Sequence, residues 1–196
     1  KTVNPRALVS VKVSTPTDVD MVAVGIYHAG AHAIQLDGAY GGTGAAPEIA
    51  KKNIAMPIEY AIPKVHRFLE EEGVRDEVVL VASGGVRTAY DVAKAIALGA
   101  DACAIDGAEL VALGCTRCRT CEKDEKGKGC GCPLGIVSTE PELASLIDPE
   151  WGARRIVNMY LAWAVEWRRV LALLGLPNVR LLRGRTDLLA WVEPQG

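Results

Sequence analysis

Cys115, Cys118 and Cys121 are spaced C-x2-C-x2-C and are followed by Cys130-Gly-Cys132-Pro133, which places five of the six cysteines of the 196-residue chain in one short segment. An iron–sulfur cluster needs several thiolates converging from a glycine-tolerant loop, and a C-x2-C-x2-C run closed by Cys-Pro is a known ligand pattern. Zinc is the rival, because C-x2-C and C-x-C pairs together also make a tetrahedral site of four thiolates. Surface cysteines without a metal are the bland alternative, against which the crowding speaks. Six cysteines are too few for a disulfide scaffold, so the crowding points to metal or redox chemistry in a cytoplasmic setting.

Three further stretches carry chemistry. Ser83-Gly84-Gly85-Val86-Arg87-Thr88 puts two glycines before a helix start, where backbone N–H groups and the helix dipole favour an anion. Asp106-Gly107 repeats a small turn after the next strand, and two such neighbours suggest a phosphorylated cofactor. Gly41-Gly42-Thr43-Gly44 lies in a glycine-rich loop suited either to close approach to a planar ligand or to a plain turn. Lys12 sits inside the apolar run VSVKV, where its charge is costly unless it meets an anion or an electron-rich group; the alternative is a solvated lysine just past the strand. His28, His32 and His66 read as surface or packing residues, and Trp163 and Trp167 as core anchors.

The elements that position these residues alternate. Apolar runs at 7–13, 33–38, 78–85 and 102–107 read as parallel strands buried on both faces. Helical stretches at 17–30, 61–73 and 88–100 lie between them, with Gly73 and Gly99 as C-caps, Thr17 or Asp18 capping the first and Thr88 the third. Repeated βα units mean a parallel α/β sheet with its polar residues at the carboxyl ends of the strands. Four units cannot close a (β/α)8 barrel. A long amphipathic helical stretch follows at 141–176, ended by Gly175 and Pro177. A net charge of −2 lacks the basic face that nucleic acid needs, and no apolar stretch is long enough to span a membrane.

VSVKV, DGAYGGTGAAP, ASGGVRTAYDVAKAIALGAD, ALGC, CPLGI and GRTDLL together resemble the flavin-binding synthase domain of glutamate synthase, most of all the short archaeal-type large subunits. The similarity runs from about Asn4 to Leu189. It implies a TIM-type (β/α)8 barrel of which this chain holds the C-terminal half, about four βα units. Residues 1–110 would be that half barrel, 111–137 a cysteine-rich iron–sulfur loop, and 138–196 a C-terminal helical segment.

The resemblance implies FMN beside an iron–sulfur cluster, with 2-iminoglutarate, made from 2-oxoglutarate and ammonia, reduced to glutamate. Ser83, Gly84, Gly85 and Arg87, with Asp106 and Gly107, match the FMN phosphate turns. Lys12 matches the strand lysine facing flavin and 2-oxoglutarate, and Gly41, Gly42, Thr43 and Gly44 match the loop over both. Cys115, Cys121 and Cys132 match three ligands of a 3Fe–4S cluster; Cys118 and Cys130 are extra thiols that leave a 4Fe–4S cluster open. The implied partners are a segment or chain supplying the first four βα units, an electron donor (NAD(P)H-linked or ferredoxin) and a glutaminase or other ammonia source. The same barrel acting on another substrate, and a non-catalytic metal-binding electron-transfer subunit, are the alternatives.

Overall fold

A computed structural model describes residues 3–38, 55–118 and 132–192, with isolated positions 47, 49, 53 and 121. Four strands, β1 (Ser10–Ser14), β2 (Ala33–Asp37), β3 (Val79–Ser83) and β4 (Ala102–Ala104), form one sheet in the order β1-β2-β3-β4. All three pairings are parallel, and Lys12, Gln35, Val81 and Ala102 stand in one row across the sheet. Sequential parallel order with a helix between strands is the arrangement of consecutive βα units in a barrel. The helices are α1 (Val19–His28), α2 (Ile58–Glu71), α3 (Ala89–Ala97), α4 (Gly107–Ala112), α5 (Pro141–Ala144) and α6 (Pro149–Leu173).

The core lies between the sheet and helices α1 and α2. Ile34, Leu36, Leu80 and Ala82 project from one face of the sheet and are fully buried against Val19, Ala23, Ile62, Val65 and Leu69. Burying each larger side chain stabilises the fold by about 1.5–3 kcal/mol. α2 begins three residues before the helical stretch read from the sequence, on Pro57, and tolerates Pro63 because Ala61, Ile62, Val65 and Leu69 all pack inward. A second cluster joins Ala93, Ile96 and Ala97 of α3 to Leu182, with Trp167 and Val170 of α6 packed on it.

The sequence led us to expect strands covered on both faces. Instead the residues alternate: β2 buries only Ile34 and Leu36, and Val79 on the opposite face of the sheet is 46% exposed. Among the described residues, no helix covers the face that carries Lys12, Gln35, Asp37 and Val81. In a closed barrel this is the face that points inward.

The caps follow local chemistry. Thr88 accepts from the Asp91 N–H at 3.2 Å, and the Asp91 carboxylate returns the bond, a complete capping box. Gly73 and Gly99 follow the last turns of α2 and α3 with φ of 72° and 124°. Asp18 stands at the start of α1 without a side-chain capping bond. The long helical stretch divides into α5 and α6, because Asp148 caps a fresh start by accepting from Trp151 N–H at 2.8 Å.

Candidate active site at the carboxyl ends of the strands

Lys12 and Asp37 meet at the carboxyl end of the sheet. The Lys12 Nζ lies 3.0 Å from Asp37 Oδ2, and the side chains are 55% and 20% exposed. The register explains the pairing: Ser14 stands beside Asp37, so Lys12, two residues earlier on the same face, reaches up one row to the carboxylate. The anion that the lysine requires is therefore supplied by the next strand, and its ammonium remains open to solvent. Asp37 was not singled out from the sequence, although a lone carboxylate ending the apolar run AIQLD was the signal.

Ser83 takes a structural part. It is buried, and its hydroxyl donates to the Leu36 carbonyl at 3.0 Å, tying β3 to β2. The glycines after it behave as a ligand turn would require. Gly84 and Gly85 have φ of 81° and 79°, a region where a side chain is strained, and a Cβ added at Gly85 would meet nothing within 4 Å. Beyond them the backbone N–H groups of Arg87 and Thr88 already donate to Asp91 Oδ2, at 3.0 and 3.1 Å. An anion at this turn would meet the open Gly85 edge and the exposed Arg87 side chain, with the Arg87 and Thr88 N–H groups already engaged by Asp91. Asp106 caps α4 by accepting from the Gly107 N–H.

The two turns and the first cysteine share one space. An open cavity of about 860 Å3 is lined by Gly85, Arg87, Asp106, Gly107, Cys115 and Arg155, among others. Three guanidinium groups, those of Arg87, Arg117 and Arg155, border it, so it suits an anionic ligand. Gly41, Gly42, Thr43 and Gly44 lie outside the described residues.

Cys115 leaves α4 through Leu113 and Gly114, and its Sγ accepts from the Arg117 N–H at 3.4 Å. Arg117 has φ of 56°, left-handed backbone that a side chain seldom adopts, and this turns its N–H towards the sulfur. Cys132 is 4% exposed, whereas Cys118 and Cys121 are on the surface. Cys115, Cys121 and Cys132 are outside any disulfide, so the donor set has the right chemistry for a cluster. Among the described residues, however, no three His, Cys, Asp or Glu groups converge on a common centre. Cys130 lies outside them. Cys103, within β4, has its thiol pushed up to about 11 by burial.

Trp163 and Trp167 are half-buried and line a second open cavity of about 500 Å3 with Cys103, Ile105, Tyr160 and Leu171, so they are less enclosed than core anchors would be. At the opposite, amino ends of the strands lies a polar network that the sequence did not announce. The Arg75 guanidinium, 4% exposed, donates to Asp101 Oδ2 at 2.8 Å, to the Gly99 carbonyl at 2.7 Å and to the Val78 carbonyl at 3.1 Å. Arg183 donates to Asp101 Oδ1 at 2.8 Å and also pairs with Asp76. His66 packs there as expected, and the His32 Nδ1 accepts from the Val9 N–H at 3.0 Å.

No helix among the described residues is long and apolar enough to cross a membrane. The family model for the conserved region in glutamate synthase matches residues 1–177. An archaeal glutamate synthase (NADPH) of Methanocaldococcus jannaschii is 44% identical over 184 residues, 94% of this chain and 35% of that protein. The archaeal-type glutamate synthase (NADPH) of Thermotoga maritima is 43% identical over the same shares. The ferredoxin-dependent glutamate synthase of Cyanidium caldarium is 36% identical over 189 residues, 95% of this chain but 12% of that protein. The chain thus spans about a third of the length of the archaeal relatives it matches. By the family match and by these relatives, this chain belongs to the glutamate synthase family.

Proposed function

We propose that the chain forms the carboxyl-side half of an FMN- and iron–sulfur-dependent barrel that reduces 2-iminoglutarate to glutamate. The observation that carries this reading is the cavity that joins Gly85 and the Asp106–Gly107 turn to Cys115. Bound there, a flavin would supply hydride transfer and a cluster would supply one-electron passage from the donor.

The residues present fit that use. The Gly85 backbone is open where a phosphate would approach, with Arg87 at the lip. Lys12, held by Asp37 on the inward face, keeps its ammonium directed at the space where a dicarboxylate would lie. Cys115, Cys121 and Cys132 are the proposed cluster ligands, in a 3Fe–4S or, with Cys118 and Cys130, a 4Fe–4S cluster. The sheet face left uncovered, and the outer edges of β1 and β4 left unpaired, among the described residues favour a companion segment that supplies the remaining βα units. An electron-donor module, NAD(P)H-linked or ferredoxin, and an ammonia source complete the proposed assembly, which works in the cytoplasm.

The test is purification with the segment that completes the barrel, followed by absorption spectra and an assay of glutamate formed from 2-oxoglutarate, ammonia and a reduced donor. Flavin and cluster bands with turnover support the reading. Absence of both bands overturns it, and intact flavin without glutamate formation moves the chemistry to another substrate.

A further inference from the structure

Helix α4 has only six residues, yet both halves of the proposed redox centre hang on it. Its start carries the Asp106–Gly107 turn, and its end leads directly into Cys115. A helix so short is not stable alone, since isolated helices below ~12 residues are marginal in water. None of its residues is buried, so the sheet does not fix it either.

Helix α6 holds it at three points along one face. The Tyr160 hydroxyl donates to Glu109 Oε1 at 2.5 Å, within the first turn of α4. Gly152, buried, lies against Leu113, where an added Cβ would come within 3.2 Å of Leu113 Cδ2. Arg155 Nε donates to the Ala112 carbonyl at 2.8 Å. That carbonyl belongs to the last turn of α4, whose acceptors lack helical partners and which favours a cation. The neighbouring acceptors are already used: Glu109 O takes the Leu113 N–H at 3.0 Å, Leu110 O takes Cys115 N–H at 2.9 Å and Val111 O takes Gly114 N–H at 2.9 Å. Arg155 is itself steadied by the Trp151 ring, 5.3 Å from its guanidinium carbon.

We propose that Arg155 is a positioning residue for the cysteine centre. Acting through the Ala112 carbonyl, it sets where Cys115 stands relative to the Asp106–Gly107 turn, and so fixes the spacing of the two redox groups. The inference rests on the function proposed above. It assigns the control of that spacing to α6, outside the half barrel.

The test compares Arg155→Met, which removes the donor, with Arg155→Lys, which keeps a cation and a donor, in the complete protein. Amide hydrogen exchange is read at Gly114 and Cys115, with Leu80 and Ala82 in the core as reference, and the cluster is read by electron paramagnetic resonance and midpoint potential. Arg155→Met should speed exchange at Gly114 and Cys115 by about tenfold, leave the core amides unchanged and alter the cluster signal. Arg155→Lys should restore most of both. Unchanged exchange at Gly114 and Cys115, or an equal acceleration at the core amides, overturns the proposal. If the wild-type protein holds no iron, the proposed function falls, while the exchange comparison still decides whether Arg155 positions Cys115.

Discussion

The Nε–H of Arg75 donates to the Nδ1 of His66 at 2.8 Å, which leaves that nitrogen unprotonated and places the imidazole proton on Nε2, 3.3 Å from Glu70 Oε1. Burial holds His66 below the ordinary histidine value of 6.5, Glu70 opposes this, and the Arg75 and Arg183 charges reinforce it.

A histidine kept neutral by folding contributes stability that is fully present above that value. As pH falls below 6.5 the unfolded chain takes up the proton first, and the contribution is lost. The urea midpoint should therefore decline between pH 7 and pH 5, and His66→Gln should flatten the decline. An equal slope in the variant would remove His66 as its source.

Asp101 extends the same network to lower pH. Burial alone would raise its carboxyl, but the Leu80 N–H and the Arg183 and Arg75 guanidinium groups outweigh this and hold it below 3.8. Its contribution is present above 3.8 and disappears as pH falls through the lower folded value. Arg75→Met strips donors from Asp101 and from the Gly99 and Val78 carbonyls, and should cost about 3 kcal/mol in denaturant unfolding. A cost below about 0.5 kcal/mol would show that the network is not structural.

Lys12 behaves oppositely. Its pair with Asp37 is exposed, so Lys12→Met should change unfolding free energy by less than about 0.5 kcal/mol. Glutamate formation by the complete protein should fall by on the order of 100-fold if the ammonium orients the substrate. Full activity in the variant would remove Lys12 from the site.

Iron content separates the cysteines. Cys115→Ser and Cys132→Ser should each abolish bound iron and sulfide, while Cys118→Ser retains them if the cluster has three protein ligands. Loss of iron in Cys118→Ser would instead point to the larger cluster. The buried Cys132 and the N–H bonded Cys115 are where the pre-formed environment is most visible.

The parallel order of the sheet was legible because each strand is an apolar run ending in a small or polar residue, and two of the three intervening helices carry a stop, at Gly73 and Gly99. The one-sided burial was not, because Val79 and Val81 read as core whatever they face; only the partner elements decide. The Thr88–Asp91 box could be read from a three-residue spacing, but not that the Asp91 carboxylate also takes the Arg87 N–H. The Arg75–Asp101–Arg183 network joins groups 26 and 82 residues apart, a separation that no local pattern encodes. Cysteine spacing names a ligand type but not a convergence point, and none is present among the described residues.

Every strand of this sheet pairs with its neighbour in sequence, and among the described residues β1 and β4 each keep one free edge. Each ladder therefore closes only a single βα loop, the least entropic demand a parallel sheet can make. A sheet wired in this way has natural joints: a break between adjacent units severs one ladder and leaves every other pairing intact. Such a sheet thus tolerates manufacture in pieces, and a second polypeptide would need only edge-to-edge strand addition to extend it.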